Sequence, residues 1–93
     1  MRTIKRTTQF KRDYKRERKG RYRRTLERDL RDVLLLLLSD IPLPIRYRDH
    51  PLAGQWKDFR DCHVHPDLVL IYRQPDDQNL ELVRLGSHSE LGF

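Results

Sequence analysis

The sequence has one cysteine, one tryptophan, four glycines and no apolar run longer than the six residues Val33 to Leu38. A lone Cys62 excludes an internal disulfide framework and most structural zinc schemes, and it fits a reducing compartment. Six apolar residues fall far short of the roughly 20 that span a bilayer. The N-terminus is basic without an apolar h-region, so no secretion signal or membrane partner is expected, and the expected location is the cytoplasm. No glycine-rich phosphate loop, internal repeat, linker or low-complexity stretch is present. A hydrophobic share of 37% is small but sufficient for the thin core of one domain over residues 1–93.

What the sequence has in excess is charge. Twenty Lys/Arg against 14 Asp/Glu give a net +6, which favours a polyanionic partner. The charge is unevenly placed. Residues 1–31 hold 14 basic and 4 acidic side chains, net +10, while residues 32–93 hold 6 and 10, net −4. Phe10, Tyr14, Tyr22, Leu26 and Leu30 recur through the basic third at helical spacing, which argues against a disordered arm.

Thr3 to Thr7 reads as an opening strand. Thr7 or Thr8 caps a helix to about Lys19, with Gly20 as its terminator. A second helix is expected from about Arg21 to Ser39, burying Tyr22, Leu26, Leu30, Val33 and Leu37 and leaving Leu35 on the far side. Pro42, Pro44, Pro51 and Gly54 mark a loop. Strands are expected over Trp56 to Val64, Leu68 to Arg73 and about Leu80 to Leu85, followed by a short polar tail from Gly86. The fold class is α+β: a short N-terminal strand and two helices packed on one face of a small, mostly antiparallel sheet.

All four histidines, His50, His63, His65 and His88, lie in the second half with Asp61 and Asp67. Imidazole is the natural proton carrier near neutral pH. The His63-x-His65 spacing puts both rings on one strand face, a geometry that can chelate metal, but Pro66 removes Asp67 as a third ligand, and no metal or other cofactor is expected. Cys62 points away from His63 and reads as a small buried hydrophobe. No nucleophile motif surrounds Ser87-His88. Histidines and aspartates beside a cationic face suit metal-independent RNA cleavage: a base takes the 2′-hydroxyl proton, cations steady the transition state and an acid protonates the leaving 5′-oxygen.

Three ordered motifs carry a resemblance. They are Asp49-His50-Pro51-Leu52-x-Gly54-x-Trp56, Arg60-Asp61-x-His63-Val64-x-Pro66-Asp67, and Arg84-x-Gly86-x-His88, within residues 42–93. This segment resembles the YafQ branch of the RelE/ParE toxin superfamily. The resemblance implies a RelE-like fold and the toxin of a type II toxin–antitoxin system. It further implies an endoribonuclease that cuts message in the ribosomal A site and inhibits translation. The implied partners are mRNA, ribosomal RNA and a cognate antitoxin, with operator DNA met only through the antitoxin complex.

Carried over by position, the family's functional residues fall on His50, His63, Asp67, Arg84 and His88. On this reading His88 is the general acid, His63 and Asp67 serve the base side, and His50 orients or shares protons. Arg84 counters phosphate charge, with Lys57 and Phe93 as further RNA contacts. Lys11, Arg12, Lys15, Arg16, Arg18, Lys19, Arg23 and Arg24 form the ribosome-docking face. Trp56 is taken as packing and His65 as accessory. The family tail places a Phe four residues past its last histidine; here Gly92 holds that position and Phe93 follows. Two other functions compete: a non-nuclease toxin of the same fold, like the gyrase-poisoning ParE branch, and a nonenzymatic RNA-binding module. The number of proton-transfer groups favours the nuclease.

Overall fold

The computed structural model describes residues 1–92. The chain runs β1 (Thr3–Arg6), α1 (Thr8–Glu17), α2 (Leu26–Leu38), β2 (His50–Pro51), β3 (Arg60–His65), β4 (Leu68–Arg73), β5 (Asn79–Gly86) and α3 (His88–Leu91). The sheet order is β1-β5-β4-β3-β2. β1 lies parallel to β5 and every other pairing is antiparallel.

β4 is the clearest case of sequence dictating structure. Its apolar run has no polar alternation, and Leu68, Val69, Leu70, Ile71 and Tyr72 are all buried, as a central strand covered on both faces requires. Leu68, Leu70 and Tyr72 face the main core with Phe10, Leu26, Leu30, Val33 and Leu37 of α1 and α2. Val69 and Ile71 face a smaller cluster with Leu91 of α3, flanked by Leu52, Trp56 and Phe59. The two expected helices occupy one face, and α3 with the 52–59 segment covers the other. Trp56 packs edge-on against Phe59 at 5.2 Å. Cys62 is buried in the main core, and burial pushes its thiol up.

Several boundaries differ from expectation for local reasons. Thr7 caps α1, its Oγ1 accepting from the Phe10 N–H at 3.0 Å. Gly20 is not in the left-handed region that a glycine terminator adopts, and the last turn closes at Arg18. Residues 21–25 form turns rather than the start of α2, so Tyr22 leaves the helical stripe and stacks on His65 at 4.3 Å. The Trp56 end of the expected β3 is a 3₁₀ turn, Gly54–Trp56. The polar tail is helical. Ser87 and Glu90 form a capping box, each side chain bonded to the other's backbone N–H.

α1 is tied to β5 by a buried carboxylate. Asp13, 2% exposed, accepts from Arg84 Nε at 2.7 Å, Arg16 Nη1 at 2.9 Å and the Leu85 N–H at 3.0 Å. Burial alone would raise this carboxyl, but those bonds and the two guanidinium charges outweigh it and hold Asp13 below its ordinary value. Its stabilisation is therefore complete at neutral pH and is lost as pH falls through that depressed value. Asp13→Asn keeps the shape and strands two cations, at an expected cost of about 3 kcal/mol at pH 7. Urea-unfolding midpoints should show the gap from wild type closing on acidification below about pH 4. A gap independent of pH would exclude the ionic account.

Candidate active site

Strand register assembles the site. His50 on β2 lies opposite Asp61 on β3. Because side chains alternate along a strand, Asp61 and His63 share one face while Cys62 and Val64 turn to the helices. β3 then meets a register shift between His63 and His65. An extra residue in the ladder reverses the alternation, so His65 does not stay beside His63. Its Nε2 lies 2.7 Å from Asp29 Oδ2 on α2, with Tyr22 stacked on its ring. The expected single-face histidine pair is corrected on this point. Among the described residues no group of three or more His, Cys, Asp or Glu is arranged to hold a metal ion.

His50 is fixed by backbone geometry. Arg48 adopts a left-handed conformation, φ 49°, which costs an arginine about 1 kcal/mol. That turn brings its carbonyl 2.8 Å from His50 Nδ1. A carbonyl only accepts, so Nδ1 carries the hydrogen and Nε2 of the neutral ring is the basic atom. Asp49, between them, is held by the Tyr72 hydroxyl and the Arg60 guanidinium. His50 Nδ1 also lies 3.1 Å from Asp61 Oδ1, but its hydrogen serves Arg48. Asp61 Oδ1 is buried without a hydrogen bond. Burial pushes the Asp61 carboxyl up; the pull of His50, His63 and His88 opposes this without cancelling it.

His63 and His88 meet edge to face with ring centroids 5.1 Å apart. His63 is half-buried, and that burial, reinforced by His88, Arg48 and His50 and opposed by Asp61, lowers it from the ordinary imidazole value. The lowering favours the neutral ring, the form a proton acceptor needs. His88 opens α3. Its Nδ1 donates to Asp67 Oδ1 at 2.9 Å and its backbone N–H to the same oxygen at 3.2 Å. These bonds hold the exposed Asp67 carboxyl below its usual range, and they engage Nδ1 rather than Nε2 of His88. Asp67 is thus the partner of His88 rather than of His63, which revises its expected place on the base side. A cleft of about 850 Å³ opens beside the cluster, lined by Arg46, Arg48, His63 and His65 among others.

The remaining expected residues divide. Arg84 points to Asp13 and is not a free phosphate ligand. Arg16 is drawn from the docking face into bonds with Asp13, Glu17, Glu90 and the Leu85 carbonyl. Gly86 makes room for it, since a Cβ there would sit 2.7 Å from Arg16 Nη2. Lys11, Arg12, Lys15, Arg18, Lys19, Arg23, Arg24 and Lys57 are exposed. Phe93 lies outside the described residues. Two residues were missed as site members, Asp61 and Arg48. The Asp61-x-His63 spacing was the available signal for the first; the left-handed backbone at Arg48 left none.

Over 59 residues the chain is 48% identical to the mRNA interferase toxin YafQ of Escherichia coli K12, a match covering 63% of each chain and so just under two thirds of that relative. The YafQ structure in the E. coli DinJ–YafQ complex superposes with TM-score 0.83 at 39% identity, covering 98% of both chains. A metal-bound toxin from Helicobacter pylori superposes with TM-score 0.84 at 42% identity, over 98% of this chain and 99% of that one. The family model for YafQ, the bacterial toxin of type II toxin–antitoxin systems, matches residues 2–92. The chain belongs to the YafQ family of bacterial toxins.

Proposed function

We propose that this chain is a ribosome-dependent, metal-independent mRNA endoribonuclease, inhibited by a cognate antitoxin. One observation carries the reading: two histidines able to accept a proton, His50 through Nε2 and the neutral His63, face a third, His88, whose Nδ1–H is fixed on Asp67. The histidines supply both proton transfers. His63 or His50 removes the 2′-hydroxyl proton, O2′ attacks phosphorus, and the 5′-oxygen leaves with the Nε2 proton of a doubly protonated His88, whose Nδ1–H stays on Asp67, giving a 2′,3′-cyclic phosphate. Arg46 and Arg48 line the same cleft as His63, and on this reading they take the phosphate role first expected of Arg84. A purely DNA-gyrase-directed toxin has no use for such an acid–base set.

On purified ribosomes programmed with a defined message, new 5′ ends should appear only when the message occupies the A site. His88→Gln should slow cleavage by about 10²- to 10⁴-fold without loss of ribosome binding. Because His63 is lowered, the acid limb of the wild-type rate profile should fall below about pH 6.5. Equal cutting of free and ribosome-bound message would overturn the reading.

Docking belongs to the exposed cations of α1 and the turn after it: Lys11, Arg12, Lys15, Arg18, Lys19, Arg23 and Arg24. Phosphate contacts release counterions, so ribosome affinity should fall steeply with salt, and the slope should drop by about one for each contact removed. Replacing Lys11, Arg12 and Lys15 by Gln should flatten that dependence while leaving the rate at saturating ribosomes unchanged. An unaltered salt slope would place docking elsewhere.

The antitoxin surface we place on a second groove of about 480 Å³, where Ile4, Leu34, Leu35 and Leu38 are rimmed by Arg6 and Arg31. An apolar floor with a cationic rim suits an acidic amphipathic helix. Operator DNA is then reached only through the antitoxin. Leu35 is 49% exposed, so Leu35→Glu should spare folding and cleavage yet weaken antitoxin capture at least tenfold by calorimetry. Full-strength capture would move the interface off this groove.

A further inference from the structure

The mechanism above leaves one buried group unused. Asp61 is 5% exposed, and its Oδ1 has no hydrogen bond. An unsatisfied carboxylate oxygen is costly to bury, and nothing in the packing of β3 calls for one, since the opposite residue on β4 is Ile71. Its surroundings differ on the other side. His50 Nδ1 lies 3.1 Å from Oδ1, His63 is two residues along the same strand face, and His88 also acts on the carboxyl from α3. Asp49 acts against it, and Arg48 acts on His63 from the loop.

We propose that Asp61 is a positioning residue, the shared counter-charge of the histidine pair that takes the 2′-hydroxyl proton. Before reaction the His50 hydrogen serves the Arg48 carbonyl, which leaves Oδ1 open. When His50 or His63 gains a proton and becomes imidazolium, the new positive charge forms a few ångströms from a carboxylate already desolvated. Stabilising charge where it develops, without moving the carboxylate, lowers the barrier of that step. Asp61 exchanges no proton and touches no substrate. It also gives the two histidines one common counter-charge, so that either can serve as base when the other is occupied. The inference rests on the nuclease reading, but its central measurement does not.

The test is Asp61→Asn, which preserves shape and removes charge. In the folded variant, nitrogen-15 titration should show His50 and His63 protonating at lower pH than in wild type, by about one unit. The plateau rate on programmed ribosomes should fall about 10- to 100-fold, with the half-saturating ribosome concentration unchanged and the acid limb moved to lower pH. Wild-type titrations with a wild-type rate would overturn the proposal. A slower rate with unmoved titrations would also overturn it, leaving only a structural role. If Asp61→Asn does not fold, the carbon-13 titration of Asp61 in wild type decides. A carboxylate that stays ionised while the histidines titrate, and whose signal reports their titration, supports the proposal; one protonated throughout that range overturns it. If wild type cuts no message, the nuclease reading fails, and the histidine titrations still judge the coupling by itself.

Discussion

β4 is buried on both faces, and the rest of the molecule answers to that constraint. Two α-helices satisfy one face, α1 with Phe10 and α2 with Leu26, Leu30, Val33 and Leu37. The other face exposes only Val69 and Ile71 and needs a smaller cover, supplied by Leu91 of α3 with Leu52, Trp56 and Phe59. α3 is a single turn, too short to persist in water by itself. It forms because its capping box meets two terminal N–H groups and Leu91 finds an apolar seat. The same turn carries His88 at its start. Covering the thin side of β4 therefore also delivers His88, the general acid we propose, to the histidines of β2 and β3.

The site lies at the border of that smaller cluster, where water is partly excluded and polar groups must be held by one another. Each histidine has a different anchor: a backbone carbonyl for His50, a carboxylate for His88, and partial burial between charged neighbours for His63. The anchors fix tautomers as well as positions, because a carbonyl or carboxylate at Nδ1 requires the hydrogen there. What separates His88 from His50 is the charge of the anchor: the Asp67 carboxylate favours a doubly protonated, proton-donating His88, whereas the uncharged Arg48 carbonyl does not do so for His50. Asp67, exposed and bonded to His88, and Asp61, buried and unbonded, are pushed in opposite directions by their surroundings. Divergent environments for like groups are how one site holds acid and base together.

The sequence made the sheet and much of the site legible because their signals are local. The unbroken run at Leu68 to Tyr72 reads as a buried strand, and the stripe Leu26, Leu30, Val33, Leu37 reads as a core face. The three motifs named His50, His63, Asp67 and His88, which the fold brings to one place. What escaped depends on tertiary contact. Tyr22 fits the helical period, yet a partner 43 residues away at His65 holds it in a turn. His65 follows His63 by two, and only the ladder shift that turns it to Asp29 separates them. Arg84 looked free for phosphate because its partner, Asp13, is 71 residues distant.

That last pairing also explains why the basic third of the chain is not simply a surface. β1 pairs with β5 only as far as Leu82, so Val83 to Leu85 form an edge without a neighbouring strand. Unpaired edges invite pairing with other chains unless they are covered. Here α1 and its cap cover this one with side chains. Thr7 bonds the Leu82 and Val83 carbonyls, Asp13 accepts from the Leu85 N–H, and Arg16 donates to the Leu85 carbonyl. The N–H needs an acceptor and the carbonyl a donor; at Leu85 both are charged, and Asp13 and Arg16 offset each other's charge. Arg16 goes further and holds Glu90 at 2.8 Å, on the turn that carries His88. The net +10 is therefore divided. Its outward cations are available to a polyanion, while Arg16 closes a strand edge and braces the helix that carries His88.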